Sequence, residues 1–496
     1  MLQGVAADLL NGKRIIKEGK MDLLIKGGKV VTAKSTFKAD VAVKGGKISA
    51  IGTNLKPEKG TEVVDAKGKY ILPGALDGHT HMFMPFGGTI STDDYYDGTV
   101  AAACGGTTTI FNFETQAPGQ PMDELVKGKL ETAESQGPVI DYSLHVGVGD
   151  VTNDKMLKTM DKVVDLGITS FKVFMVYDFG VDDGQFYATL CHAKEIGALV
   201  GVHAENKNVN DFLVKKYLSE GNISPWYHYM SKNEAVAGEA DVRAINLAKM
   251  AGAPLYIVHL DNAQGVEAVR QARAEGLPIF AETCPQYLEF TKEVYQKGRP
   301  EFKLRPQDFV CSPPMKGKES KDALWEGIRT GVVSTLATDH CPFLKKEKDW
   351  GKKTKTGAKG NFTTIPNGCA GVENMYPYIL SAANKGKITF NKAVEIAATN
   401  PAKLFGVDYC KGAIEVGKDA DIVIYDPKKN VVIDNKKNQH GSIDHTIWEG
   451  IECKGYPCAV YSHGNLVFDG KNFVGKKGAG KFLKQKKVNH KGPELV

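Results

Sequence analysis

Apolar and polar positions follow two rhythms along this chain. From 22 to 70 they alternate in short stretches broken by glycine turns, as in DLLIKGGKVVT, DVAVKGGKISAIG and EVVDAKGKYIL. A period of two over such stretches marks strands with one face buried. The same character returns after 412, in GAIEVGKDADIVIYDP and KGYPCAVYSHGNLVFDG. The segments 22–70 and 406–470 are therefore expected to join into one small β-sandwich domain, which the chain leaves and re-enters.

The middle, 71–405, reads differently. Eight runs rich in β-branched and aromatic residues recur at 71–81, 107–114, 140–149, 168–175, 198–205, 254–261, 278–285 and 332–340. Between several of them lie stretches with apolar residues at helical spacing: 153–166, 238–252 and 265–276. Strands alternating with helices predict a parallel sheet, and eight repeats predict an α/β fold of the (β/α)8 TIM-barrel type. The last segment, 471–496, is a basic tail whose only adjacent large apolar pair is Phe482 and Leu483, its expected anchor.

Composition narrows the classes. With 496 residues, 42% hydrophobic and 25% charged, the chain can bury a large core and is not globally disordered. The net charge of +6 is concentrated in lysine runs at 344–359 and 476–491, without interleaved aromatics to stack on bases, so no nucleic-acid partner is expected. No apolar run approaches about 18 residues, so no membrane span is expected. The first 20 residues mix charges throughout and lack the apolar centre of a secretory signal. Nine cysteines without a CxxC pair point to reduced thiols and a cytoplasmic setting.

Candidate chemistry gathers at the ends of the eight runs. His79 and His81 close the first, Lys172 lies in the fourth, and His203 and His259 stand near the ends of the fifth and sixth. Asp339 stands near the end of the eighth. Barrel active sites form at the C-terminal ends of the strands, so these six residues are expected to converge. Each has a plainer reading alone: rim or core histidines, a helix-capping aspartate, a lysine stem that snorkels to the surface. Lys172 is the unusual one, since it sits in the apolar run Phe171–Met175. An ammonium beside two cations would be repelled. A carbamate formed from its amine and CO2 would instead offer two anionic oxygens that bridge them. Four neutral histidines, Asp339 and that carbamate suit two divalent ions, zinc first. Such a pair can lower the pKa of a shared water from 15.7 toward about 7.

At these residues the chain resembles the dihydropyrimidinase/hydantoinase branch of the amidohydrolase superfamily. The likeness runs from about Met21 to Lys484. It is carried by DGHTHMFMPFGGT (77–89), ITSFKVFM, VHAEN (202–206), IVHLD (257–261), ETCPQYL (282–288), CSPPMK (311–316), ATDHCPF (337–343) and NFTTIPNG (361–368). The resemblance implies metal ligation by His79, His81, N6-carboxylated Lys172, His203, His259 and Asp339. It also makes Asp339 the proton shuttle and Tyr177 the donor to the oxyanion. Ser312 and Asn361 would hold the ring imide through backbone groups, with Met84, Phe86 and Phe174 lining the pocket for the ring substituent. The implied reaction opens 5,6-dihydropyrimidines or 5-substituted hydantoins to N-carbamoyl amino acids. A homotetramer is implied too, with the tail as an oligomer contact.

Three neighbouring readings are weighed. Dihydroorotase needs a cation for the substrate carboxylate, and related enzymes carry an arginine where this chain has Phe83. Allantoinase has a polar substituent that suits Met84, Phe86 and Phe174 poorly. A non-catalytic scaffold of this fold would lack ligands, whereas all six are present. The stretch 343–360 is longer and more basic than the family's usual loop, and residues 1–20 precede its usual start.

Overall fold

The computed structural model describes residues 21–151, 153–488, 490–492 and 494–495, so the reading of residues 1–20 lies outside the described residues. The described residues begin with five strands: β1 (Leu23–Val31), β2 (Thr36–Lys44), β3 (Lys47–Gly52), β4 (Glu62–Asp65) and β5 (Tyr70–Pro73). They meet three late ones, β16 (Ile422–Asp426), β19 (Tyr456–Ser462) and β20 (Asn465–Phe468). Together they form one sheet in the order β20-β19-β16-β5-β1-β2-β3, with β4 also on β1. The join is the antiparallel pairing of β5 with β16, Tyr70 opposite Tyr425 and Pro73 opposite Ile422. A register shift between Ile25 and Gly28 lets β1 pair β4 with its first half and β5 with its second. Gly27 takes a φ of 75° there, and a Cβ on Gly28 would strike Ile71 at 2.7 Å. A two-stranded pair, β17 (Val431–Val432) with β18 (Glu452–Cys453), stands apart from this sheet.

Each of the eight apolar runs contains one barrel strand. They are β6 (Ala75–Thr80), β9 (Thr107–Thr115), β10 (Asp141–Gly147), β11 (Ser170–Phe174), β12 (Leu199–His203), β13 (Leu255–Ile257), β14 (Ile279–Thr283) and β15 (Thr335–Leu336). They pair in parallel in chain order, and a bridge from Thr80 to His340 closes the circle. Asp77 strengthens the closure by accepting from the Thr338 N–H at 3.0 Å and its hydroxyl at 2.6 Å. The fold is thus a (β/α)8 TIM barrel with a separate, mainly antiparallel β domain. A short hairpin, β7 (Pro85–Phe86) with β8 (Thr89–Ile90), projects after the first strand. Of the expected helices, 238–252 belongs to Glu234–Ala251, capped by Asn233 and Gly252, and 265–276 to Ala263–Ala274. The stretch 153–166 divides into two short helices, Asp154–Leu157 and Thr159–Asp165, that meet at Lys158.

The tail straps the N-terminal end of its own barrel, through the expected pair Phe482 and Leu483. Tyr142 N–H donates to Lys481 O at 3.0 Å, and Leu483 N–H returns a bond to Tyr142 O at 2.7 Å. Phe482 packs on Tyr142 with ring centroids 5.9 Å apart. Gln485 is buried and bonds four partners: it accepts from Thr169 N–H and Ser170 Oγ and donates to Ser143 Oγ and Leu144 O. The stems of Lys477, Lys484 and Lys487 lie over Gly137, Gly167 and Gly197, where helices end. A cation is favoured beside those terminal carbonyls, and its apolar stem covers the bare glycine backbone.

Candidate metal centre

The parallel strands deliver the six candidate residues to one end of the barrel. His79 is in β6 and His81 just past it. Lys172 is in β11, and His203 is the last residue of β12. His259 and Asp339 follow β13 and β15 by two and three residues. His259, Asp339 and nearby Tyr177 and Phe83 all take positive φ, at 39°, 53°, 71° and 51°. Non-glycine residues in that region are strained, and their gathering here marks a site held by its surroundings.

The polar atoms fall into two adjoining groups. In the first, His79 Nε2 lies 3.0 Å from Lys172 Nζ and 3.2 Å from Asp339 Oδ1, which lies 3.0 Å from His81 Nε2. In the second, His203 Nδ1 lies 2.9 Å from His259 Nε2. The rings of His79 and His259 stack between the groups, 5.3 Å apart. Burial pushes all four imidazoles down, so they are neutral near pH 7. Burial also pushes Lys172 down to about 8, against the pull of Asp339 and Glu282. Its Nζ lies 4.3 Å from the centre of the Phe113 ring and 4.9 Å from that of Phe174.

Two carboxylates orient the set, and sequence reasoning passed over both although they stand inside quoted motifs. Glu282 Oε1 lies 2.7 Å from His79 Nδ1 and accepts from the His259 N–H at 3.0 Å. Tyr256 donates to its other oxygen at 2.6 Å. Glu205 Oε2 lies 2.7 Å from His203 Nε2 and 2.7 Å from Lys232 Nζ, and it accepts from Ser312 Oγ at 3.0 Å. With their outer nitrogens tied to carboxylates, His79 and His203 turn lone pairs inward, toward Asp339 and His259. Neutral imidazoles with inward lone pairs, an amine and a carboxylate fit a divalent-cation centre, and His79, His81 and Asp339 have ligand atoms close enough to share one ion.

Two other His-containing groups have similar spacing but are already satisfied. Asp141, Asp419 and His463 enclose the ammonium of Lys411. In the group of Cys104, Glu373 and His440, both nitrogens of His440 face acceptors, Glu373 Oε1 at 2.6 Å and Lys471 O at 3.1 Å.

Tyr177 stands beside the centre. Its ring lies 5.5 Å from His203 and 5.8 Å from Phe86, and Phe174 packs 6.2 Å away. Burial and the negative Glu205 push its hydroxyl up, so it remains a donor, beside the Ser312 and Asn367 side chains. Met84 belongs to the adjoining turn, its N–H bonded to Ser91 Oγ at 2.9 Å. Asn361 is not brought here. Its side chain accepts from Thr363, and its backbone N–H and carbonyl are occupied by Thr364, so it caps the short turn Phe362–Thr364. Asn367, six residues on in the same motif, is the asparagine that meets Tyr177. The Asn-x-Thr-Thr pattern at 361 was a legible capping signal.

Comparison with known proteins agrees with this geometry. Residues 70–467 match the Amidohydrolase family. The D-hydantoinase of Geobacillus stearothermophilus is 43% identical over 472 residues, 94% of this chain and 97% of that protein. The D-phenylhydantoinase of Escherichia coli K12 is 37% identical, over 94% of this chain and 98% of its own length. The crystal structure of dihydropyrimidinase from Brevibacillus agri NCHU1002 superposes with a TM-score of 0.88 at 41% identity, covering 94% of this chain and 99% of that one. A barrel of this order, a polar cluster at its C-terminal end and likeness over nearly the whole length lead to one assignment: the chain belongs to the amidohydrolase family, within its dihydropyrimidinase and hydantoinase group.

Proposed function

We propose that this enzyme opens cyclic amides hydrolytically, taking 5,6-dihydropyrimidines and 5-substituted hydantoins to N-carbamoyl amino acids. The observation that carries this reading is the convergence of His79, His81, Lys172, His203, His259 and Asp339 beside a half-buried, protonated Tyr177. Two divalent cations, zinc by the donor chemistry, would supply an acidified water and positive charge facing the carbonyl oxygen. His79, His81, His203, His259 and Asp339 would hold them, together with Lys172 as its carbamate. The lowered pKa of Lys172 favours that modification, because the free amine adds to CO2 and releases one proton.

The rest is the work of the side chains. Water oxygen bonds to the ring carbonyl carbon, and the ring C–N bond breaks. Asp339 takes the water's proton and passes it to the departing nitrogen. Tyr177 donates to the oxygen that becomes negative in between. Ser312 and Asn367, both beside Tyr177, hold the imide edge. Phe86 and Phe174 offer an apolar wall to the ring substituent and no partner for a carboxylate, whose burial would be costly. The enzyme should therefore turn over dihydrouracil and 5-phenylhydantoin and spare dihydroorotate. A panel of those three with allantoin tests this; dihydroorotate as the best substrate would overturn it.

A further inference from the structure

The basic stretch 343–360 reads as a solvated loop, and most of its lysines are exposed. Lys348 is not: it is 1% exposed. Its ammonium donates to Val310 O at 2.9 Å, Pro366 O at 2.8 Å and Gly368 O at 2.7 Å. An ammonium has three N–H bonds, and here each has a carbonyl. Those carbonyls come from two segments. Val310 is two residues before Ser312, while Pro366 and Gly368 flank Asn367. The segments also share a direct bond, Gly368 N–H to Val310 O at 2.9 Å. The Lys348 ammonium adds three bonds to that one, and so ties both segments to a single point.

The same short helix, Lys345–Lys348, reaches the opposite wall of the pocket. Glu347 Oε1 accepts from Thr89 Oγ1 at 2.7 Å, which ties down the hairpin that carries Phe86. Adjacent residues thus grip the imide edge and the substituent wall.

We infer that Lys348 is a positioning residue for recognition of the ring imide: its ammonium fixes the spacing between the Ser312 and Asn367 segments, and so the pose of the ring against Tyr177 and Asp339. This rests on the cyclic-imide reading above. Lys348 touches none of the candidate metal ligands through these bonds, so its loss separates binding from the metal centre.

The test is Lys348→Met, which keeps the apolar stem and removes all three donors. KM for 5-phenylhydantoin should rise about 10–100-fold, the worth of a charge-assisted hydrogen bond. The metal content per chain should stay near that of the parent, and kcat should fall less than KM rises. The preference for 5-phenylhydantoin over its imide N-methyl analogue should shrink toward unity, which simple loosening of the fold would not produce. Lys348→Arg keeps the charge and should fall between; if the Met variant does not fold, the Arg variant's preference decides. A parent that opens no cyclic imide would overturn the proposed function and this role with it. A parent that does, with its imide preference unchanged in the folded variants, would overturn the role of Lys348 alone.

Discussion

At the C-terminal end of the barrel Lys172 is buried among His79, Phe113 and Phe174; at the N-terminal end Lys411 is equally buried, among Asp141, Asp419 and Asp421. Burial pushes both ammonium groups down. Around Lys411 three carboxylates overcome that push and hold the group charged, whereas around Lys172 they do not, and it settles at about 8. The histidines follow suit. His463, bonded to Asp141 at the base, is pushed up, while His79 and His259 at the rim are pushed well down. One end completes its charges and gains structure. The other withholds partners and keeps lone pairs available for an ion. The presence of ionisable groups in a barrel therefore says little; the direction in which burial leaves them separates a clasp from a site.

The largest effect should come from the rim. Lys172→Ala should release metal and reduce turnover to background, yet leave thermal stability near that of the parent stripped of metal, because the free amine it removes is a buried group with few compensating partners. Metal analysis beside a melting curve checks both halves, and short carboxylic acids added in trans should restore part of the activity. Full metal content in this variant would break the contrast between the two lysines.

At the base the same deletion should act on stability. Lys411→Met strands three buried carboxylates, and breaking a buried pair costs about 3–5 kcal/mol. Denaturant unfolding should show it, with kcat of the folded fraction unchanged. Wild-type stability with lost activity would mean that the base belongs to the site after all. Returning to the rim, Tyr177→Phe should lower kcat about 10²–10³-fold with little change in KM, as for loss of one oxyanion donor. A raised KM at full kcat would make Tyr177 a binding group instead.

The rim was far more legible in the sequence than the base. His79-Thr80-His81 lie within three residues, Lys172 lies inside an apolar run, and His203, His259 and Asp339 each stand near the end of one, so one parallel topology collects them. The base cluster draws on Asp141, Lys411, Asp419, Asp421 and His463 from distant segments that share no motif, and only the return of the β domain brings them together. The tail was legible only in part: Phe482 and Leu483 stood out as its anchor, but no pattern showed that its lysine stems cover helix-ending glycines or that Gln485 fills a polar socket between β10 and β11. Asn361 and Asn367 show the limit within a motif: composition does not say which of two asparagines caps a turn and which faces the pocket. Gln485→Ala should accordingly cost about 1–3 kcal/mol by leaving buried groups without partners. An unchanged melting temperature would show that the strap is only laid on the surface.

The smallest effect, and the finest test of the contrast, is the pH response of the base. His463 Nε2 lies 2.7 Å from Asp141 Oδ2, and its Nδ1 lies 3.8 Å from Asp419 Oδ1. Facing it in the cluster are Asp141, Asp419, Asp421 and Lys411, with Lys47 on the same Asp419 oxygen, Oδ1. Three carboxylates against two lysines leave one negative charge, which a protonated His463 balances. The bond to Asp141 raises His463 above 6.5, so its contribution is complete below that pH and fades as pH rises through the raised value. Asp141 has the opposite sign: burial pushes it up, but His463 and Lys411 outweigh burial and hold it down to about 2. Its share is therefore present above 3.8 and is lost only as pH falls toward about 2. The clasp should be firmest between those limits and loosen first on the alkaline side. His463→Gln, which keeps a donor but cannot titrate, should flatten the alkaline limb of a stability–pH profile while leaving the acid limb in place. An alkaline limb of equal steepness in that variant would show that the base is not balanced by His463.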